Sequence, residues 1–360
     1  MIAHDTGRGR KAFDGIDVER LFAAIRMLAD RESLEIAPFV ATWNANLDTL
    51  GESRRLPPFW ASEFMKAIRD ERARSQLERS FSEGVRALEG RKDLRSTFAR
   101  LQDEMIAALA SILTVDPSRV DYLAPVLADV EEQLQVASLN YDLSVEHLAE
   151  RADTTFDTGI EGWRGGYQWR WKSGVKLRLL KLHGSLNWYF GNDDHPGKLT
   201  SDVIRLATDM SGDERKRYQN RLALVFGQGA KLRSDGPFLA MLLEFDKFLE
   251  RTDHLVVVGY SFRDDHINAA VRRWFNKRQS PRVTIINPDL DDWRRSPDAP
   301  PFFHELYAAM RAEGAASRDP VLKPGFALRT TTAGKGLIET FGEGPRLRRA
   351  GAAPLQEEVQ

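Results

Sequence analysis

Two spacings of apolar residues divide the chain. Up to about residue 134 hydrophobic side chains recur at helical intervals. Ile16, Leu21, Phe22, Ile25 and Leu28 share one face, and Leu94, Phe98, Leu101, Met105, Leu109 and Ile112 keep the 3.6-residue period more regularly, so both stretches predict amphipathic helices. A third pattern, Val120, Leu123, Leu127, Val130 and Leu134, contains Pro125, which lacks an N–H and predicts a kink or a first helical turn. Residues 16–134 therefore read as a helical region packing on the core. Residues 1–15, polar and basic without periodicity, read as a flexible arm.

Beyond Gln135 the pattern changes to short runs of leucine and β-branched residues: Val136–Leu139, Leu177–Leu182, Leu222–Phe226, Leu255–Val258 and Val283–Ile286. These predict buried strands. Three of them run directly into small or polar residues and then a helical pattern, at Asn140-Tyr141-Asp142, Gly259-Tyr260-Ser261 and Asn287-Pro288-Asp289. Strand, polar turn and helix in succession is how a parallel α/β sheet is written. The expected fold class is α/β, a Rossmann-like parallel sheet flanked by helices over residues 135–341, closing with a helix over Gly336–Gly342. Residues 342–360 read as a disordered tail. Ligands of such sheets bind at the carboxyl ends of the strands, where the three tripeptides are expected to meet.

Composition narrows the chemistry. Fifty-two basic against 53 acidic side chains leave a net charge of -1, which removes the electrostatic footprint of a phosphate-backbone binder and makes nucleic acid an unexpected partner. The 360 residues include no cysteine, so disulfides, thiolate nucleophiles and cysteine-ligated zinc are excluded. The longest apolar runs are about six residues, where a membrane span needs about 20. The expected setting is the cytoplasm.

Each candidate residue has a structural reading beside a chemical one. Asn140 and Asp142 are either an Asx turn with a helix cap or an amide and carboxylate placed to hold a sugar, a carboxamide or a water. His183, followed by Gly184 and Ser185, puts an imidazole at a strand end beside a backbone that can turn sharply, and it is the one histidine in a general base's position. Gly259, Tyr260 and Ser261 precede a helix whose amides could receive a phosphate, or they form a capped turn. Asn287 and Asp289 flank a proline turn and could take an adenosine ribose. Asp264, Asp265 and His266 are better explained as first-turn residues of a helix than as metal ligands. Gly227, Gly229 and Lys231 lack the spacing of a phosphate loop. Trp163, Tyr167, Trp169 and Trp171 read as a flap packed on the core rather than a base-stacking surface.

Taken in order, VASLNYDLSVE, LKLHGSLNWYF, LVFGQGAKL, LVVVGYSFRDDHINAAV and VTIINPD resemble the sirtuin-like (silent information regulator-like) domain, closest to its bacterial, defence-associated NAD-hydrolase branch. The resemblance implies that Asn140 and His183 are the catalytic pair and that Asp142 contacts the nicotinamide side. It also places Gly184, Gly259, Tyr260, Ser261, Asn287 and Asp289 on the dinucleotide, with NAD as substrate, a homo-oligomer, and a possible partner protein from a defence operon. Two departures from the family pattern, the absence of a four-cysteine zinc module and the presence of Leu139 and Tyr141 around Asn140, argue for simple NAD cleavage over protein deacylation, and a reading as protein deacylase or ADP-ribosyltransferase would need an acyl-peptide or acceptor cleft that the sequence does not identify. The family's opening strand and Gly-Ala-Gly-x-Ser loop have no counterpart, which leads to the expectation that translation starts upstream of Met1. The same gap supports the alternative of a non-catalytic nucleotide-binding or scaffolding subunit.

Overall fold

The computed structural model describes residues 68, 70–90, 94–128, 133–193, 201–214, 222–225, 236–297, 299–312 and 321–348. The expected arm, the helix from Ile16, the glycine segment Gly227–Lys231 and residues 349–360 of the tail lie outside the described residues. The chain divides into two compact units, one gathering the described residues up to Thr114 with Leu139–Asp142 and His183–Gly236, the other gathering Val115–Ser138, Leu143–Leu182 and the described residues from Pro237 on.

In the first unit, helices α1 (Glu71–Gly90) and α2 (Leu94–Leu113) pack on each other. Leu101, Met105 and Leu109, three of the positions that predicted α2, are buried with Leu77 of α1. The unit also holds an antiparallel sheet made from β4 (Gly184–Asp193), β5 (Ser201–Leu206) and β6 (Leu222–Leu224), in the order β5-β4-β6. The run that begins at Leu222 is therefore a strand, but it pairs antiparallel with β4 and takes no part in a parallel sheet.

The second unit opens with two short 3-10 helices, Pro117–Arg119 and Asp121–Leu127. The helix expected to continue through Leu134 ends instead at Ala128, whose backbone is extended. Pro125 stands inside the last turn, and Leu134 already belongs to a strand. Two parallel sheets follow. The first is made from β1 (Leu134–Ser138), β2 (Phe156–Asp157) and β3 (Leu177–Lys181) in the order β1-β3-β2, and helix α3 (Ser144–Arg151) follows β1. The second is built from β7 (His254–Val258), β8 (Arg282–Ile286) and β9 (Phe326–Arg329) in the order β7-β8-β9. Helices α4 (Phe238–Arg251), α5 (Asp265–Lys277), α6 (Leu290–Arg295), α7 (Pro301–Met310) and α8 (Ala333–Phe341) complete the unit.

The class is thus α/β with parallel sheets flanked by helices, as the repeated strand-turn-helix pattern predicts. Central strands β3 and β8 bury Leu177, Leu179, Leu180, Val283, Ile285 and Ile286 almost completely, while edge strands β1 and β7 are only partly covered. Burial follows position in the sheet, since an outer strand of a sheet has one neighbour and a central one has two. Helix α4 packs on β3 and on α5, and the aromatic segment joins it there: Trp171 stacks on Phe248 and donates its indole N–H to Glu244 at 2.8 Å. Trp163 and Trp169 are buried as a packed flap requires, whereas Tyr167 is exposed.

Candidate functional site

Strands β1 and β3 run parallel, with Ser138 opposite Lys181, and the Leu182 N–H donates to the Ser138 carbonyl at 3.0 Å. Two residues past each of these positions stand Asn140 and His183. A parallel pair holds its strands about 4.8 Å apart, so equal offsets from matched residues bring the two exits alongside each other. Backbone bonds then fix the exits. Leu186 N–H donates to the Tyr141 carbonyl at 3.0 Å, Val225 N–H to the His183 carbonyl at 2.9 Å, and the Tyr141 hydroxyl to the Val225 carbonyl at 2.7 Å. The Tyr141 and His183 rings lie 6.2 Å apart between centroids. Asn140 is exposed, Asp142 is buried, and His183 is 8% exposed, so the site has one open polar residue beside two enclosed ones.

The sharp turn between β3 and β4 depends on Gly184. Its φ of 90° lies in the left-handed region, and a Cβ there would stand 1.9 Å from the Ala223 carbonyl oxygen. β4 then pairs with β6 at Gly184 and again at Tyr189 with a shifted register, so the pairing is irregular over residues 185–188. Within this stretch, Ser185 Oγ and Asn187 Oδ1 are buried and have no hydrogen-bond partner among the described residues. Sequence reasoning did not single out either one. Nothing in a run of residue types signals that a particular serine or asparagine side chain is sealed and unpaired.

The second unit contains a buried ion pair. Lys181, the last residue of β3, places Nζ 3.3 Å and 3.5 Å from the carboxylate oxygens of Glu146 in the first turns of α3, with side-chain exposures of 1% and 7%. Lys181 immediately precedes Leu182-His183, and Glu146 follows the Asn140–Asp142 turn by one helical turn. The pair ties together the two elements adjoining the candidate residues.

The other candidates form a second group at the carboxyl ends of β7 and β8. Gly259 N–H donates to the Ile286 carbonyl at 2.9 Å, the Asn287 side-chain amide reaches the Tyr260 carbonyl at 3.5 Å, and Asp289 N–H donates to Asn287 Oδ1 at 2.9 Å. Gly259 has φ 64°, while Ser261 and Asp289 are exposed. The Tyr260 hydroxyl is engaged by the start of α5, donating to Asn268 Oδ1 at 2.9 Å and receiving the Asp264 N–H at 3.2 Å. Burial, followed by the nearby Asp264 charge, pushes this phenol far above its usual range. Asp264 caps α5, accepting from the His266 and Ile267 N–H groups. Among the described residues no group of three or more histidines and carboxylates is placed to hold a metal.

Phe262 continues this loop with φ 55°, a conformation uncommon for a residue with a side chain. Its ring is buried among Tyr260, Trp293, Phe302 and Phe303, with centroid separations of 4.8–6.1 Å. Tertiary packing of the aromatic ring holds the backbone where it would not otherwise settle.

Residues 135–305 match the family model of the SIR2-like domain. The matched segment begins in β1, ends in α7 and contains every candidate residue named above. No curated protein matches the chain at a significant level.

Proposed function

From the SIR2-like match and the geometry beside it, we propose that this segment binds NAD and cleaves it to nicotinamide and ADP-ribose. The supporting observation is the parallel register that carries Asn140 and His183 to equal offsets beyond adjacent strands. Polar groups stand beside the pair, since Asp142 is a buried carboxylate and Ser185 Oγ and Asn187 Oδ1 are buried polar atoms without partners among the described residues.

Bound NAD presents a glycosidic bond to a leaving group that is already cationic, so rupture calls for positioning and charge stabilisation more than for acid. Asn140 orients the ribose or the attacking water through its amide. His183 takes a proton at a ring nitrogen from that water or from a ribose hydroxyl, and Asp142 fixes the carboxamide. Gly184 supplies the turn next to His183, and the motif resemblance assigns Gly259, Tyr260, Ser261, Asn287 and Asp289, grouped at the carboxyl ends of β7 and β8, to dinucleotide binding. The motif resemblance to defence-associated NAD hydrolases extends the proposal to an antiphage setting, with a homo-oligomer and a partner protein that triggers cleavage.

Incubating the full chain with NAD and following nicotinamide tests the reading. Wild type is expected to release nicotinamide, and Asn140→Ala and His183→Ala to release none. Full turnover by both variants rejects the assignment, and NAD binding without release by wild type favours a non-catalytic nucleotide-binding subunit.

A further inference from the structure

We infer that Tyr141 is a positioning residue for the proposed catalytic pair, its hydroxyl holding His183 in a fixed place relative to Asn140, a role that rests on the NAD reading and adds a residue to it. The inference starts from a closed circuit of bonds. The half-buried Tyr141 is held at both ends: its carbonyl receives the Leu186 N–H at 3.0 Å, and its hydroxyl donates to the Val225 carbonyl at 2.7 Å. Val225 is 2% exposed and in turn donates its N–H to the His183 carbonyl at 2.9 Å. These hydrogen bonds and the chain from His183 to Leu186 close a ring, in which the exits of β1, β3 and β6 are joined through one side chain. His183 can shift relative to Tyr141 only if a bond of that ring stretches. Asn140 is the covalent neighbour of Tyr141, so the same ring sets its separation from His183.

The residue type matters. Tyrosine combines a ring that reaches from one strand exit to another with a donor at its tip, whereas phenylalanine or an aliphatic residue has no hydrogen to give the Val225 carbonyl. Tyr141 is also one of the two neighbours of Asn140 at which the chain departs from the family pattern, so the clasp is a device of this chain and does not come with the resemblance. Its ring lies 6.2 Å from the His183 ring at a tilt of 37°, within the range of aromatic pairs. The tyrosine thus engages the histidine at its ring as well as, through Val225, at its carbonyl. A general base works only within about 2.6–3.2 Å of the proton it takes, and a misplacement of about 1 Å can cost about a hundredfold in rate. A clasp that fixes the base therefore acts on kcat. Affinity for a dinucleotide is spread along its length, so KM should change little.

The test compares the full wild-type chain with Tyr141→Phe, which keeps the ring and removes the hydroxyl, and with Tyr167→Phe, a change at an exposed tyrosine, as control. Nicotinamide release from NAD and amide hydrogen exchange are both followed well below the melting temperature. Tyr141→Phe should lower kcat about tenfold or more, with KM within about twofold of wild type. It should also speed exchange of the Val225 N–H severalfold, while the amides of Leu101, Met105 and Leu109 in α2 keep their protection. Tyr167→Phe should change neither readout. Exchange that quickens through α2 as much as at Val225 marks a general loss of stability and overturns the positioning role, as does an unchanged Val225 rate in Tyr141→Phe. If wild type releases no nicotinamide while Val225 loosens selectively, the clasp on His183 stands and the hydrolase reading falls. If wild type cleaves NAD and Tyr141→Phe cleaves it as fast, the hydrolase reading stands and the positioning role falls.

Discussion

Replacing Lys181 by methionine should be among the most damaging single changes in the described part of the chain. The side chain is 1% exposed and faces a carboxylate that is 7% exposed. Removing the ammonium takes from the buried Glu146 carboxylate the charge that faces it, at a cost of about 3–5 kcal/mol. For a cooperative unit of about 150–250 residues each kcal/mol moves the melting temperature by about 2–4 °C, so the expected loss is about 6–20 °C. Glu146→Leu alone should behave similarly, since it takes the facing carboxylate from a buried lysine. The double variant Lys181→Met/Glu146→Leu removes both charges together and should recover most of the loss, because the desolvation cost disappears along with the attraction. Urea denaturation of wild type, both singles and the double closes the cycle. Additive destabilisation in the double variant, or a Lys181→Met cost below about 1 kcal/mol, would falsify the idea that the two charges depend on each other. Since the pair adjoins both the His183 exit and the Asn140 turn, the singles should also lose more NAD cleavage than stability alone explains when assayed well below their melting points.

Gly184→Ala should cost more than about 3 kcal/mol and yield little folded protein, since the new Cβ would meet the Ala223 carbonyl at 1.9 Å on a backbone of positive φ; normal expression and melting would refute the close approach. Tyr260→Phe should destabilise by about 1–2 kcal/mol at neutral pH through lost bonds to the start of α5. The same residue makes a pH prediction. Its folded pKa lies above the unfolded value, so the folded state holds the proton more tightly. Its contribution is complete below about pH 10 and declines as pH rises beyond it. Denaturation followed from about pH 9 to about pH 11 should show wild type losing stability faster than Tyr260→Phe, and parallel slopes would argue against the buried phenol.

Much of this fold was legible because hydrophobic spacing carries its own geometry. Leu101, Met105 and Leu109 keep the helical period and are buried in α2, and the runs at 177, 255 and 283 became β3, β7 and β8 within a residue. The segment 117–134 misled because its apolar period suits a helix, while Pro125 and the strand partner Leu177 decide the outcome. The β4–β5–β6 sheet was not anticipated, since Trp188, Tyr189 and Phe190 are consecutive and the register of β4 shifts between Gly184 and Tyr189. At the site, Asn140 and His183 could be picked out as polar residues ending apolar strands. Lys181 could not, since lysine is normally solvated and its burial against Glu146 is a feature of the folded chain. Ser185 and Asn187 were equally silent, because being unpaired is a property of three-dimensional surroundings.

The aromatic wedge at Phe262 has a consequence for association kinetics. A loop that would otherwise sample many shapes has already surrendered that freedom during folding, so a molecule docking against Gly259 and Ser261 meets a preset contour and loses little further entropy in the encounter. Recognition there should resemble a key entering a rigid lock, and truncating the Phe262 ring should slow capture of a ligand well before it disturbs any group that touches it.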